Sequence, residues 1–120
     1  MKICITSYGT TLDSAVDPRF GRCEYFIIID PETMEFEAIK NDTSSGGAGI
    51  QAGQLISEKN VEIVLTGNVG PNAFQVLNAA GIKIITGITG NIEEALIKYN
   101  KGELKEIDKA TVNSHYGMNK

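Results

Sequence analysis

The sequence predicts an α/β protein in three layers, with a mixed five-stranded sheet in the order 3-2-1-4-5 and helices on both faces. Three features predict it. Short apolar runs of strand length recur, as ICIT, YFIII, VEIVL and IKII. After residue 47 such runs alternate with stretches whose apolar residues recur at helical spacing, an alternation that demands parallel strands and right-handed crossovers. Each helical stretch also follows a glycine-rich segment, at 41–49, 66–70 and 86–90.

Residues 2–6 read as the first strand, with Ile3 and Ile5 on one face and Cys4, a small buried hydrophobe, on the other. A long polar connection, 7–22, follows; connections beyond about 12–15 residues in a compact domain are usually functional or disordered. Residues 24–30 form an almost uninterrupted apolar strand, as a strand covered on both faces would. After a tight turn at Pro31, residues 34–39 alternate apolar and polar, which predicts a half-exposed edge strand in a hairpin with the second. Ala48, Ala52, Leu55 and Ile56 mark the first helix, and Asn60 suits its end. Strand 61–65 leads to a second helix with Pro71 at its first position, an inner face of Ala73, Phe74, Leu77 and Ala80, and Gly81 at its end. Strand 82–85 leads to a third helix, with Asn91 and Glu94 as a capping box and Ile92, Ala95, Leu96 and Tyr99 facing inward. Gly102 closes it, so residues 1–102 are expected to form one α/β domain. The polar tail 103–120, with only Leu104, Ile107, Val112 and Met118 as apolar points, is expected to be mobile or to dock late.

In this topology the first strand is central, and its parallel neighbour is the fourth. Their crossovers are expected to diverge between them, so a crevice opens there at a topological switch point. The connections 7–22, 41–49, 66–70 and 86–90 gather at that end of the sheet. The turns at Pro31, Asn60 and Gly81 lie at the other.

Composition removes several classes of function. A net charge of −4 argues against a general nucleic-acid binder. Two cysteines make no secreted disulfide framework. No apolar run approaches the ~20 residues needed to span a membrane, and the opening MKICITS has no leader pattern, so a cytoplasmic protein is expected.

The glycine-rich end is suited to an anion. Three helix N-termini lie there, near Gly49, Pro71 and Asn91, each with unpaired N–H groups and a partial positive charge. Arg19 and Arg22 add permanent cations. GGAG at 46–49 lacks the Gly-Lys-Ser/Thr ending of a nucleoside-triphosphate loop, and no GxGxxG is present. The first strand has no carboxylate, against a two-metal nuclease. No nucleophile–base pair or paired carboxylate emerges, so an enzyme is not expected. Cys23, beside Arg22, and His115, the only histidine, are the candidate soft or borderline metal ligands. Asp13 and Asp17 are candidate oxygen ligands. A permanent zinc or iron–sulfur site normally takes four ligands, so only a labile site is expected.

Three motifs in order, DPRFGRCEYFIIID at 17–30, GGAGI at 46–50 and LTGNVGPNAFQVL at 65–77, closely resemble the dinitrogenase iron–molybdenum cofactor biosynthesis family over residues 1–102. The resemblance implies a ribonuclease H-like α/β fold. It also implies a non-enzymatic carrier that holds an iron–sulfur-based cluster, of the iron–molybdenum cofactor or precursor type, for transfer between donor and acceptor proteins. Arg19, Arg22, Gly46, Gly47, Gly49, Gly67 and Asn68 are the cargo-contact candidates. The alternatives are a regulator that binds a small anion or nucleotide in the same crevice, and a partner-binding module using the edge strand. A monomer or weak homodimer is expected, with no nucleic-acid or membrane partner.

Overall fold

The computed structural model describes residues 1–43, 47–107 and 109–112. Its strands are β1 (Ile3–Ser7), β2 (Tyr25–Ile29), β3 (Phe36–Lys40), β4 (Ile63–Leu65) and β5 (Lys83–Ile85). The helices are α1 (Ala48–Ser57), α2 (Pro71–Ala79) and α3 (Ile92–Asn100). The strands form one mixed sheet in the order β3-β2-β1-β4-β5, as the sequence predicts. β1 pairs antiparallel with β2, Ile5 opposite Ile27, and parallel with β4, Ile5 opposite Leu65. Every residue of β1 is buried, because both sheet faces are covered.

The alternation of side chains sorts the core into two halves. Cys4, Phe26, Ile28, Val64 and Ile84 face one side, where α1 and α2 contribute Ala52, Ile56, Ala73 and Leu77. Ile3, Ile5, Ile27, Ile29, Leu65 and Ile85 face the other, against Ile92, Ala95 and Leu96 of α3. This division corrects one expectation: the crossovers do not diverge between β1 and β4. β3 runs parallel to β1, being antiparallel to an antiparallel neighbour. The connections β3–α1–β4 and β4–α2–β5 therefore step the same way across the sheet, and a common right hand places both helices on one face.

Local chemistry sets the helix ends. Asn91 and Glu94 form the predicted capping box at α3. Pro71 opens α2, where its missing N–H costs nothing. α1 starts from Gly47 in the left-handed conformation, φ 74°, with no side-chain cap. β3 begins later than the alternation predicts because the turn is wider: Met34 adopts φ 65° and the Asp30 N–H bonds the Glu35 carbonyl. Beyond α3 the described residues bond back to the fold. Glu106 bridges to Ile85, and Thr111 reaches Val69. Among the described residues no helix is long and apolar enough to cross a membrane.

α1 and α2 meet along small residues, and a Cβ at Gly53 would lie 2.9 Å from Cβ of Val76. Gly53→Leu is expected to lose about 1–3 kcal/mol through overpacking. The measurement is the urea midpoint at unchanged m-value; a midpoint at or above that of the parent protein contradicts this packing.

Candidate functional site

The connection 7–22 folds down over the carboxyl ends of β1 and β4. The Asp17 N–H bonds the Thr6 carbonyl at 3.0 Å, and the Thr6 hydroxyl donates to the Asp17 carbonyl at 2.6 Å. With that proton committed, the Thr66 hydroxyl donates to Thr6 Oγ1 at 2.7 Å. Asn68 N–H reaches the Pro18 carbonyl at 2.8 Å, and Phe20 N–H the Asn68 carbonyl at 3.3 Å. A Cβ at Gly67 would fall 2.6 Å from Pro18 Cα, so only glycine allows this approach. The switch point predicted between β1 and β4 is therefore filled by the chain itself.

Asp17 organises the loop. Its carboxylate is fully buried and accepts from Arg19 N–H at 3.1 Å, Arg19 Nε at 3.0 Å, Arg19 Nη2 at 3.0 Å and Glu24 N–H at 3.1 Å. This occupies both oxygens, so the structure gives no support to Asp17 as a metal ligand. Asp13 is exposed and accepts the Thr11 hydroxyl through Oδ1. The bond to Asp17 raises the pKa of Arg19, whose guanidinium also lies 5.9 Å from the centroid of the Tyr8 ring. Arg22, by contrast, is half-buried and forms no ion pair with any described residue. The two arginines are therefore not equivalent: Arg19 is neutralised locally, whereas Arg22 has no acidic partner among the described residues.

The three helix N-termini also differ. At α3 the loop consumes the free donors: Ile92 N–H bonds the Ser14 carbonyl and Glu93 N–H the Leu12 carbonyl, both at 3.0 Å. Glu94 N–H goes to Asn91 Oδ1 at 2.8 Å. The acidic side chains of Glu93 and Glu94 sit in that same turn, so α3 is not an anion site. Among the described residues, no such acceptors meet the first turns of α1 and α2. Their first internal bonds start at Gln51 N–H and Phe74 N–H. Ahead of these, the N–H groups of Ala48, Gly49, Ile50, Asn72 and Ala73 bond to no described residue. The two first turns are adjacent, since a Cβ at Gly49 would lie 3.5 Å from Ala73. The arginine loop joins them, with a Cβ at Gly21 only 3.0 Å from Gly49 Cα. Gly47 and Gly49 of α1 and the Gly67–Asn68 backbone leading to α2 thus come into one neighbourhood with Gly21 and its neighbour Arg22.

Cys23 sits in the core, not on the surface. It is 1% exposed, and the Asn41 side chain donates to its carbonyl and to that of Gly21, both at 3.1 Å. Burial pushes its thiol well above the ordinary range, and the opposing influence of Arg19 is smaller. The cation that favours the thiolate is thus Arg19 rather than the expected Arg22, and desolvation outweighs it. Cys4 is buried and raised for the same reason. Gly46 and His115 lie outside the described residues. Among the described residues no group of three or more His, Cys, Asp or Glu side chains could hold a metal ion. Sequence reasoning missed Asn41, which ties down 21–23, and Thr111, which bonds Val69. Asn41 ends a strand beside a glycine loop, a usable signal; Thr111 had none in its polar surroundings.

The family model described as "Dinitrogenase iron-molybdenum cofactor" matches residues 1–102. The chain belongs to that family. Similar structures carry the comparison through the fold. The orange protein of Desulfovibrio gigas, solved in its apo form, is 37% identical with a TM-score of 0.88, covering 92% of this chain and 96% of its own. A Thermotoga protein described as NifB-like and of the DUF35 family is 38% identical with a TM-score of 0.81, covering 92% and 97%. An uncharacterized protein of Methanocaldococcus jannaschii is 29% identical over 114 residues, 90% of this chain and 97% of that one. In this dinitrogenase cofactor family member, the motif around residue 17 thus coincides with the loop that Asp17 organises.

Asp17→Ala orphans the Arg19 and Glu24 N–H groups and is expected to cost about 3 kcal/mol, while Arg22→Ala stays within about 0.5 kcal/mol. Denaturant titration of both decides the matter; equal losses would refute the distinction between the arginines. A thiol reagent at pH 8 is expected to label neither cysteine in the folded protein and both in guanidinium. Rapid native labelling of Cys23 contradicts its placement.

Proposed function

We propose that this protein is a non-enzymatic carrier for an anionic iron–sulfur-based cluster of the iron–molybdenum cofactor or precursor type. The cargo rests on the adjoining N-termini of α1 and α2, beside Arg22. One juxtaposition carries the reading: the first turns of α1 and α2 adjoin each other and the loop that bears Arg22, their leading amides and that arginine pair with no described residue, and the described side chains offer no ligand set. Helix N-termini and arginine suit sulfide-bearing anions, since N–H donors and positive charge stabilise the cargo without a bond to the metal. Membership of the dinitrogenase cofactor family and likeness to the orange protein support this reading. Gly47, Gly49, Gly67 and Asn68 supply backbone close to the cargo. Arg19 orients the loop through Asp17. Cys23 is not required, and reaches the cargo only if the loop opens. Held by charge and hydrogen bonds alone, the cluster can pass from a donor protein to an acceptor.

The test is anaerobic incubation with isolated iron–molybdenum–sulfur cluster, then gel filtration and metal analysis. The parent protein is expected to carry the metal. Arg22→Ala is expected to weaken retention by roughly tenfold to a hundredfold, the loss of one charge-assisted contact, and Cys23→Ala to leave it intact. Absence of co-eluting metal overturns the reading, and abolition by Cys23→Ala replaces it with direct ligation. The same open amides allow a small-anion or nucleotide regulator, which a thermal shift with phosphate or nucleotide, and no cluster retention, would favour. A partner-binding module has one observation of its own: β3 lies at the edge of the sheet, with Phe36 41% exposed. Self-association lost in Phe36→Lys, with no cluster retained, would favour it.

A further inference from the structure

The family match ends at residue 102, yet the described residues beyond it, 103–107 and 109–112, bond back to the fold. Residues 103–107 run along the outer edge of β5. Glu106 forms an antiparallel bridge with Ile85, and Ile107 N–H bonds the Ile84 carbonyl at 2.8 Å. Leu104 packs against the core beneath α3, whereas Ile107 packs against the core beneath α1 and α2. The segment therefore straddles the sheet edge with one apolar anchor on each face. The Lys83–Glu106 pair at 3.6 Å is exposed and adds little.

From that edge the chain reaches the loop before α2. Thr111 Oγ1 accepts Val69 N–H at 2.9 Å and lies 3.3 Å from the Val69 carbonyl, to which it donates. The same carbonyl accepts Thr111 N–H at 2.9 Å and Val112 N–H at 3.3 Å. Val69 precedes Gly70, the N-cap of α2, which has no side-chain cap. In the loop TGNVG the Thr66 and Val69 side chains are buried in the fold, but glycine at 67 and 70 leaves the peptide groups between them to be fixed by hydrogen bonds. Those bonds come from Gly87 at Gly67, from Pro18 and Phe20 at Asn68, and from Thr111 at Val69 itself.

We propose that Thr111 is a positioning residue for the cargo site, and that the described residues 103–107 and 109–112 act as a clasp holding the first turn of α2 in its receiving geometry. The proposal rests on the cargo reading above and adds a control element outside the matched region. The anchors differ in kind. Leu104 and Ile107 are partly buried, but Thr111 is exposed and holds by hydrogen bonds alone, so the clasp opens locally before the sheet edge does. Closure favours cargo, and by linkage cargo favours closure to the same degree. An acceptor that displaced Thr111 would therefore loosen the cargo without unfolding the carrier.

The experiment follows hydrogen exchange of the Val69 amide and retention of isolated iron–molybdenum–sulfur cluster in the full chain, in Thr111→Val and in Thr111→Ser. Thr111→Val keeps the shape and removes the hydroxyl. It is expected to speed Val69 exchange roughly tenfold, weaken cluster retention several-fold and leave the melting temperature nearly unchanged, while Thr111→Ser restores both readouts. In the parent protein, bound cluster is expected to slow Val69 exchange. Unchanged exchange in Thr111→Val shows the clasp is not made in solution, and faster exchange with unchanged retention shows that it does not serve the site; either result overturns the proposal. If the parent protein retains no cluster, the cargo reading itself fails and the positioning role with it. Normal parental retention that is insensitive to Thr111→Val sinks the clasp alone.

Discussion

The carboxylate of Asp17 has no exposure to solvent, and four donors from Arg19 and Glu24 converge on its two oxygens. A buried carboxylate is costly unless its acceptors are filled, and here they are filled from two parts of the chain at once. Two bonds involve the Arg19 side chain and fix the shape of the loop; the bond from Glu24 N–H fixes where the loop enters β2. The backbone of Asp17 adds the junction with Thr6 at the end of β1. Strand β1, the covering loop and strand β2 are thus bound through one residue. Pro18 and Phe20 then hold Asn68, so the same loop sets the approach to α2.

That arrangement explains why charge counted along the sequence misleads at this site. Arg19 and Arg22 look alike in DPRFGR, and each contributes one positive charge. Asp17 lies two residues before Arg19, at the spacing that lets a turn bring carboxylate and guanidinium together. One cation is thereby spent on holding the loop. The remaining one stands by glycines close enough to α1 that any side chain at Gly21 would press on Gly49. Glycine is needed there for close approach of one backbone to another, whereas at Gly47 it is needed for positive φ.

The strands and helices were legible because their signals are local: period-two and helical patterns, Pro71 at a helix start, the Asn91–Glu94 box. Sheet order followed from chain alternation and handedness. The site was legible only in outline. Which helix termini stay open depends on where carbonyls of the 7–22 connection land, and Leu12 and Ser14 reach α3 through backbone bonds that no side-chain pattern records. The burial of Cys23 depends on packing by Phe20, Phe26 and α1 across the sheet, which a loop–strand boundary in sequence does not reveal. The tail from residue 103 reads as mobile or docking late, yet Leu104 and Ile107, placed on opposite faces of an edge, suffice to dock residues 103–107. Backbone bonds to β5 need no sequence signature at all.

The chemistry of the proposed site also limits how it could release a cargo. Backbone amides do not titrate in the physiological range, and a guanidinium remains charged throughout it. The Cys23 thiol is held neutral by burial, far from a protonation change at neutral pH. Binding built from these groups is insensitive to modest changes in acidity, though salt would weaken it by screening. A carrier working at fixed ionic strength must then let go by moving the donors. The packing restricts which of them can move. α1 is held against α2 by Gly53 and Val76, and α3 is tied to the loop by its own N-terminal amides. The Gly67–Gly70 loop is anchored by the buried Val69 side chain and by backbone bonds at Gly67 and Asn68, but the peptide groups of Val69 are held by the exposed Thr111. Release of Thr111 frees the turn leading into α2 while leaving the Asp17 junction intact. In such a carrier an exposed restraint, rather than a buried one, is the part whose loss most directly governs retention.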